Sequence, residues 1–217
     1  MAMRVVAFVP LKMNNQRLPG KNTKKFNSGK PLYEYILKSL SNVDLIDDVY
    51  VFCSDEVFKK QLPSNVKYIK RSVSLDTDET KINEVMASFA QEVVADFYVL
   101  AHATAPFILS ESISTAVKKV VKENHDSAFT VVKFQEFLWK NNHAVNYDPS
   151  EIPRTQDLEP YYVETTGLYV YSRNLIINEN RRVGKNPALI EVSKIEAIDI
   201  NEPVDFLIAD AIEPEFN

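Results

Sequence analysis

The chain has 217 residues, of which 45% are hydrophobic, and a formal net charge of −5. This length fits one large domain, so we expect a single unit over residues 1–217 with a sizeable core. The acidic balance argues against a general nucleic-acid-binding protein. No apolar run approaches the length of a membrane span, and the one cysteine, Cys53, leaves no internal disulfide. We therefore expect a cytoplasmic protein with no membrane or nucleic-acid partner.

The N-terminal region combines a predicted strand with a basic loop. Residues 5–9 form an apolar run that predicts a buried strand, and Pro10 ends it because proline has no N–H to donate. The loop that follows carries five basic residues: Lys12, Arg17, Lys21, Lys24 and Lys25. Residues 32–40 then keep apolar side chains at helical spacing. A strand, a cationic loop and a helix N-terminus favour a polyphosphate site, and a solvated basic loop is the alternative.

Strand and helix signals alternate through the first two thirds of the chain. Further apolar runs predict strands over residues 48–53, 66–69, 97–101 and 127–132. Between them we expect helices over residues 55–62 and 80–94, and a third from an N-cap at Ser110 to residue 121. This rhythm predicts an α/β fold, a mostly parallel sheet with helices on both faces. Ligands bind in such sheets beyond the carboxyl ends of the strands, where the basic loop is expected.

The rhythm breaks over residues 134–166, which hold several aromatic residues among prolines and polar residues. A stretch this long without its own helix is a functional loop or an arm that packs elsewhere. We interpret it as an arm or insertion that makes a dimer contact, and a lid on a monomer is the alternative. Strand signals return over residues 167–171, 188–192 and 195–200, and a helix is expected over residues 202–212.

Asp199-Ile200-Asn201 ends the last predicted strand and precedes the last predicted helix. Alternation along a strand would place the side chains of Asp199 and Asn201 on one face. Oxygen ligands at a strand end suit Mg²⁺, which prefers one or two carboxylates and keeps several waters. The alternative for Asn201 and Glu202 is an ordinary helix N-cap followed by an acid in the first turn.

Several segments, taken in order, carry a family resemblance. They are Pro10, Arg17-Leu18-Pro19-Gly20-Lys21-Asn22, Gly29-Lys30-Pro31-Leu32, Arg71 with Leu75 and Asp78, residues 100–106 (Leu-Ala-His-Ala-Thr-Ala-Pro), residues 154–158 (Arg-Thr-Gln-Asp-Leu), Gly167-Leu168-Tyr169 and Asp199-Ile200-Asn201. In this order they resemble the sugar-activating cytidylyltransferases, above all the acylneuraminate cytidylyltransferase (CMP-sialic acid synthetase) family. The resemblance implies a nucleotide-diphospho-sugar transferase-like fold of the GT-A type with a dimerisation arm. It also implies transfer of CMP from CTP to a 2-keto-3-deoxy sugar acid, with release of pyrophosphate, by a homodimer that uses Mg²⁺ (or Mn²⁺).

The resemblance further implies roles for individual residues. The implied catalytic residues are Lys21, Arg17 and Asp199, and the implied metal ligands are Asp199 and Asn201. The implied nucleotide-binding residues are Pro10, Lys12, Asn22, Arg71 and Asp78. The implied substrate-binding residues are His102, Thr104, Arg154, Gln156, Tyr161 and Tyr169.

Six positions depart from the family pattern, among them Ser72 in place of a proline and Thr166 in place of an asparagine. Lys12 stands in place of an arginine, Gln16 of a lysine, His102 of a glutamine and Asn201 of a second acid. An amide oxygen can bind Mg²⁺ but carries less charge, so metal affinity should fall. Two alternatives therefore stay open. One is a nucleotidyltransferase for another sugar acid, such as Kdo or pseudaminic or legionaminic acid. The other is a non-catalytic relative that binds a nucleotide sugar.

Overall fold

The computed structural model describes residues 3–13 and 18–216. Within these ranges the strands are β1 (Val5–Leu11), β2 (Asp48–Cys53), β3 (Val66–Lys70), β4 (Phe97–Ala101), β5 (Ser127–Phe134), β6 (Trp139–Lys140), β7 (His143–Ala144), β8 (Tyr161–Ser172) and β9 (Pro187–Glu191). The α-helices are α1 (Leu32–Ser41), α2 (Ile82–Glu92), α3 (Ser110–Lys122), α4 (Arg173–Glu179) and α5 (Pro203–Ile212). The predicted positions of β1 to β5 agree with these bounds to within two residues.

Seven strands form one sheet in the order β3-β2-β1-β4-β8-β5-β9. The pairs β3–β2, β2–β1, β1–β4 and β5–β9 are parallel, whereas β8 runs antiparallel to both β4 and β5. The mostly parallel sheet predicted from the sequence is confirmed. Parallel strands are covered on both faces and therefore appear as continuous apolar runs, which is why residues 5–9, all buried, are recognisable as a strand in the sequence.

Helices cover both faces of this sheet, as predicted. Alternate residues of β1, such as Val5 and Ala7, face the buried sides of α1 and α3. Val6 and Phe8 face α2 and α4 on the other side, where Phe8 and Phe89 stack with ring centroids 4.1 Å apart. The two layers therefore bury the apolar stripes of their helices against opposite faces of one sheet.

A third apolar cluster joins the two ends of the chain. Phe26, in the loop before α1, lies between Phe107 and Phe206, with ring centroids 6.1 and 5.3 Å away. Leu18 and Ile200 belong to the same cluster. Aromatic pairs at these distances add to the stabilisation from area burial. The cluster therefore holds α5 and the segment before it against the basic loop.

Two expectations about elements are wrong. The predicted strand over residues 195–200 is absent: residues 194–197 form a turn, in which the Ile198 N–H donates to the Ile195 carbonyl at 3.1 Å, and residues 198–200 have no regular structure. Ser110 is the first residue of α3, and its N-cap is Leu109. One side chain explains both differences. Glu196 is buried in the turn and accepts from the Leu109 N–H at 3.2 Å and the Ser112 hydroxyl at 2.6 Å, so it supplies the cap from a distant segment.

Two other segments differ in detail from the expectation. Residues 55–62 hold a short 3₁₀ helix, Glu56–Lys60, which the Asp55 side chain caps by accepting from the Val57 N–H at 2.9 Å. The stretch 134–166 contains the β6–β7 hairpin and the first six residues of β8. Its role as a dimer contact stays a prediction. Within the described ranges, no helix has the length and apolarity needed to cross a membrane.

The two clusters around the sheet predict a large difference between two identical substitutions in helices. Leu40 in α1 is fully buried, whereas Leu207 in α5 is 67% exposed. We expect Leu40→Ala to lower the free energy of unfolding by about 2–5 kcal/mol, because it removes buried methyl groups and leaves a cavity. Leu207→Ala should change it by less than about 0.5 kcal/mol. Urea unfolding of both variants measures the difference, and equal losses would contradict the assigned core.

Candidate active site

One cavity of about 420 Å³ collects most of the residues predicted for the site. It lies beyond the carboxyl ends of β1, β3 and β4. Ten of the predicted residues line it, namely Pro10, Lys12, Lys21, Asn22, Arg71, Asp78, His102, Thr104, Asp199 and Asn201. A larger cavity of about 560 Å³ lies beside α1 and the start of α3, and it is lined by none of the predicted site residues. The smaller cavity is therefore the candidate active site.

Lys21 connects the basic loop to the segment before α5. It begins a 3₁₀ helix over Lys21–Thr23, and its Nζ donates to the Ile200 carbonyl at 3.2 Å and to Asn201 Oδ1 at 3.5 Å. The Ile200 N–H in turn donates to the Thr104 carbonyl at 2.8 Å. Three segments that are distant in sequence thus meet at one side of the cavity, with an ammonium group between them.

The carboxylate of Asp199 is only partly satisfied. Its Oδ2 accepts from Asn201 Nδ2 at 2.7 Å and from Thr166 Oγ1 at 3.3 Å. Its Oδ1 is buried, and no hydrogen-bond partner for it exists among the residues that the structure describes. A buried carboxylate oxygen without a donor is costly, so this atom is suited to a cation or to a donor on a ligand.

Arg71 carries the second such atom. Its side chain is 4% exposed, and one terminal nitrogen donates to Asp76. Its Nε is buried and lacks a partner in the described part of the chain. Nearly all buried polar groups in native proteins are hydrogen-bonded. Within residues 3–13 and 18–216, the two buried side-chain atoms without a partner, on Arg71 and Asp199, both belong to residues that line this cavity. That coincidence indicates a ligand-binding site.

The first basic residue of the cavity is held by its neighbours. Lys12 Nζ donates to Asp78 at 2.8 Å, and Asn22 Nδ2 donates to the Lys12 carbonyl at 2.9 Å. Asn22 is 6% exposed, so its amide fixes the course of the loop that carries Lys12. Contact of Lys12, Asn22 and Asp78 with a nucleotide stays a prediction.

Thr166 and Gly167 bring β8 close to the segment after β4. Thr166 has a φ of 60°, a left-handed conformation that costs a residue with a Cβ about 1–2 kcal/mol. Such strain concentrates at functional sites, and Thr166 places its hydroxyl against Asp199. A Cβ on Gly167 would lie 2.7 Å from Ala105 Cβ and 2.7 Å from Ile108 Cδ1. Glycine at this position therefore permits the close packing, and the His102 N–H donates to its carbonyl at 3.0 Å.

His102 is neutral at neutral pH. The pKa of its imidazole is lowered from the ordinary 6.5 to about 4, chiefly by burial; Asp199 opposes this shift, and the nearby cations Arg182 and Lys21 add to it. A neutral imidazole offers one donor and one acceptor, so His102 can hydrogen-bond a hydroxyl or carbonyl of a ligand in the cavity.

Four predicted residues within the described ranges are not among the side chains that line the cavity. Arg154 pairs with Asp157 at 2.7 Å, and the Gln156 carbonyl accepts from Gln135 Nε2 at 3.4 Å. Tyr161 is 45% exposed on β8. Tyr169 is fully buried, and its hydroxyl donates to Glu164. Arg17 lies outside the described residues, so its predicted role has no structural counterpart here.

Sequence reasoning missed Arg182 as a cavity residue. It lies in the polar loop after α4, and it lines the cavity together with Thr77, Thr80 and Thr166. The only signal in the sequence is the adjacent pair Arg181-Arg182 between a helix and a strand, and such a pair usually lies on a solvated surface.

The residues of the cavity fit a metal ion only with help from a ligand. Among the described residues, no group of three or more His, Cys, Asp or Glu side chains is placed to hold a metal. Mg²⁺, however, is commonly bound through one or two carboxylates together with substrate phosphates. The unpaired Oδ1 of Asp199 and the amide oxygen of Asn201 match that mode of binding.

The fold and the cavity define an α/β protein with a candidate ligand site at the carboxyl edge of a mostly parallel sheet. Residues 6–201 match the sequence profile of the cytidylyltransferase family, described as "Cytidylyltransferase", and the chain belongs to this family. The family-level resemblance inferred from the motifs is confirmed.

Two relatives illustrate the range of names in the family. The chain is 23% identical over 216 residues to N-acylneuraminate cytidylyltransferase A of Danio rerio, covering 95% of this chain and 50% of the relative. It is 26% identical over 228 residues to CMP-N,N′-diacetyllegionaminic acid synthase of Legionella pneumophila, covering 97% of this chain and 96% of the relative. The chain thus spans about half the length of the fish protein.

Two solved structures share the fold. CMP:2-keto-3-deoxy-manno-octonic acid synthetase in complex with CTP superposes with a TM-score of 0.72 at 16% identity, covering 99% of this chain and 100% of the other. The 4-diphosphocytidyl-2C-methyl-D-erythritol synthase of Anaerococcus prevotii gives a TM-score of 0.67 at 13% identity, covering 98% and 96%. These likenesses confirm the nucleotidyltransferase-like α/β fold.

The environment of His102 predicts its titration. In metal-free buffer its imidazole should titrate near pH 4, because burial disfavours the charged form. Its pKa is lower in the folded than in the unfolded state, so its contribution to stability is present above pH 6.5 and is lost as the pH falls toward 4. NMR titration of the three histidines, with His102→Gln to identify the resonance, measures this. A midpoint near 6.5 for His102 would contradict the buried site.

Proposed function

We propose that the protein transfers CMP from CTP to a 2-keto-3-deoxy sugar acid of the sialic acid type and releases pyrophosphate. Membership of the cytidylyltransferase family supports the reaction class, and the names of the relatives support an acidic nine-carbon sugar as acceptor. The observation that carries the proposal is one cavity in which the cations Lys12 and Lys21 lie with the unpaired carboxylate oxygen of Asp199.

The reaction requires neutralisation of phosphate charge and alignment of two reactants. The anomeric hydroxyl of the sugar acid attacks the α-phosphate in line, and pyrophosphate leaves from the opposite side. Lys12 and Lys21, with Arg17 in the same loop, bind the triphosphate oxygens. The Ile200 carbonyl and Asn201 Oδ1 accept hydrogen bonds from Lys21 Nζ. The Lys21 ammonium is therefore held near Asp199, where it would face a phosphate group.

The remaining cavity residues orient the two substrates. Asn22 fixes the loop, and Arg71 has an unpaired Nε that can bind the nucleoside. Neutral His102 can hydrogen-bond the acceptor without adding positive charge. Asp199 and Asn201 would hold Mg²⁺ (or Mn²⁺), which when bound neutralises phosphate charge and lowers the pKa of the attacking alcohol.

A second candidate function is a nucleotide-sugar-binding relative without turnover. Asn201 supports it, because this amide replaces a second acid and donates to Asp199 instead of adding a negative ligand. Binding of CTP in calorimetry with no pyrophosphate release under excess Mg²⁺ or Mn²⁺ would favour this candidate.

We also propose a homodimer formed through residues 134–166. This stretch exposes large apolar side chains, among them Trp139 at 57%, Ile152 at 67% and Tyr162 at 45%. Exposed apolar groups of this size in one segment are typical of a surface that packs against another chain. The single cysteine, Cys53, is buried, which suits the cytoplasm that we propose as its location.

Pyrophosphate release with CTP, UTP, ATP and GTP, each combined with N-acetylneuraminate, legionaminate or Kdo, tests the function. We expect turnover with CTP and one of these acids. Lys21→Ala should lower kcat/KM by about 100-fold or more, because a preorganised cation at the phosphates is lost. Lys25→Ala is the matched control, since this lysine is exposed in the same loop outside the cavity. Equal activities of the two variants would overturn the assignment of the loop.

The metal proposal predicts a gain from a single substitution. Asn201→Asp adds a negative ligand beside Asp199, so the Mg²⁺ concentration for half-maximal activity should fall on the order of tenfold. Asp199→Asn should abolish activity at any Mg²⁺ concentration tested. Asn178→Asp, exposed on α4, adds the same charge outside the cavity and should leave the Mg²⁺ requirement unchanged. An unaltered requirement in Asn201→Asp would show that these two residues do not hold the metal.

A further inference from the structure

The cations of the cavity come from two sides of the sheet. Lys12 follows β1 and Arg71 follows β3, so both lie toward the β3 edge. Arg182 contacts Tyr169 and Glu164, which belong to β8, on the other side of β1 and β4. Lys21 is held by Ile200 and Asn201 in the segment before α5. Arg182 is thus, among the described cavity residues, the cation whose side chain is held by residues of β8.

Arg182 is held in a fixed position. Its guanidinium carbon lies 3.8 Å from the centroid of the Tyr169 ring, and its Nη2 donates to Glu164 Oε1 at 3.2 Å. The Tyr169 hydroxyl donates to the same carboxylate. Guanidinium groups stack on aromatic faces and present five N–H donors in a rigid fork. Stacking on Tyr169 and the hydrogen bond to Glu164 therefore orient the guanidinium group. Other N–H donors of this group can then bind a ligand in the cavity.

Acidic side chains lie on the β8 side of the cavity, so an anionic acceptor bound there needs a nearby cation. Asp199 faces the cavity beside Thr166, and Glu164 lies close behind Arg182. An acceptor carboxylate placed near these two acids would be repelled unless a cation compensated for them. The lysines of the basic loop and Arg71 lie where the triphosphate and the nucleoside of CTP are proposed to bind. Arg182 remains as the compensating group.

We propose that Arg182 binds the carboxylate of the acceptor and thereby selects acidic sugars over neutral ones. The inference rests on the proposed function and names the residue that recognises the acceptor's charge. Arginine suits this task because its planar fork matches a carboxylate with two parallel hydrogen bonds. Tyr169 and Glu164 act as positioning residues, since they contact Arg182 and not the acceptor.

The test compares each active sugar acid with its neutral methyl ester. The wild-type protein should prefer the acid, and Arg182→Met should raise the KM for the acid and lower its kcat/KM by about 10- to 100-fold. The ester should be affected much less, so the preference collapses. Arg182→Lys should restore part of the preference, because it returns the charge without the fork. The KM for CTP should stay within about twofold of the wild-type value, since the nucleotide cations are intact.

Lys185→Met is the control for loss of charge alone. Lys185 is exposed three residues further along the same loop and does not line the cavity. It should keep the wild-type preference for the acid. Thermal unfolding of each variant excludes a general loss of structure, and Arg182→Lys still tests the geometry of the fork if Arg182→Met does not fold.

Calorimetry separates failure of this inference from failure of the proposed function. N-acetylneuraminate and its methyl ester are titrated into wild-type and Arg182→Met protein saturated with CMP. Acid binding that depends on Arg182, without pyrophosphate release, would overturn the proposed function and leave the inference standing. Turnover with an unchanged acid-to-ester ratio in Arg182→Met, or binding of no acid by the wild-type protein, would overturn the inference. A raised KM for CTP alone would assign Arg182 to the nucleotide.

Discussion

The contact between Lys21 and the Ile200 carbonyl holds together residues 179 positions apart in the chain. A single hydrogen bond of this kind contributes on the order of 1 kcal/mol, too little to close so long a loop by itself. Burial of the apolar cluster that contains Phe26, Phe107, Phe206 and Ile200 stabilises this contact between the two ends of the chain instead. The apolar cluster thus holds the basic loop and the segment before α5 together, and Lys21 places a positive charge where they meet.

The antiparallel strand β8 gives the cavity its second side. It lies between β4 and β5, so the sheet changes direction beside the loop that follows β4. Gly167 permits close packing at this point, and Thr166 accepts a left-handed backbone to reach Asp199. β8 therefore donates a hydrogen bond to Asp199 through Thr166, and it supplies the Tyr169 ring on which Arg182 stacks.

The sequence predicted β1 to β5 and β9 well, because strands buried on both faces appear as short apolar runs with little ambiguity. It did not predict β6, β7 or the first six residues of β8. It also located the basic loop and Asp199, since strand ends and charged residues are visible without coordinates. The sequence does not reveal toward which face of the sheet the Tyr169 side chain points. Both faces are covered, so alternation of apolar and polar residues does not distinguish them. The apolar residues within 195–200 suggest a strand, but the structure places Glu196 in a turn, where it caps α3. No local pattern in the sequence reveals this distant contact. Arg182 depends on contacts with Glu164 and Tyr169 that no local pattern reveals.

The balance of charge explains how the departure at Asn201 is compatible with a nucleotide site. The described residues that line the cavity include the cations Lys12, Lys21, Arg71 and Arg182 against the acids Asp78 and Asp199, which gives a formal excess of two positive charges (4 − 2). The whole chain carries −5, so this excess of cations is a local feature of an acidic protein, and a positively lined cleft favours anionic ligands. A second acid at position 201 would halve that excess in the absence of a metal. The amide keeps the hydrogen bond to Asp199, so the carboxylate stays in place while less of the positive field is cancelled. With the phosphates bound as proposed, such a site would rely more on its own cations, and less on a bound metal, to hold phosphate charge.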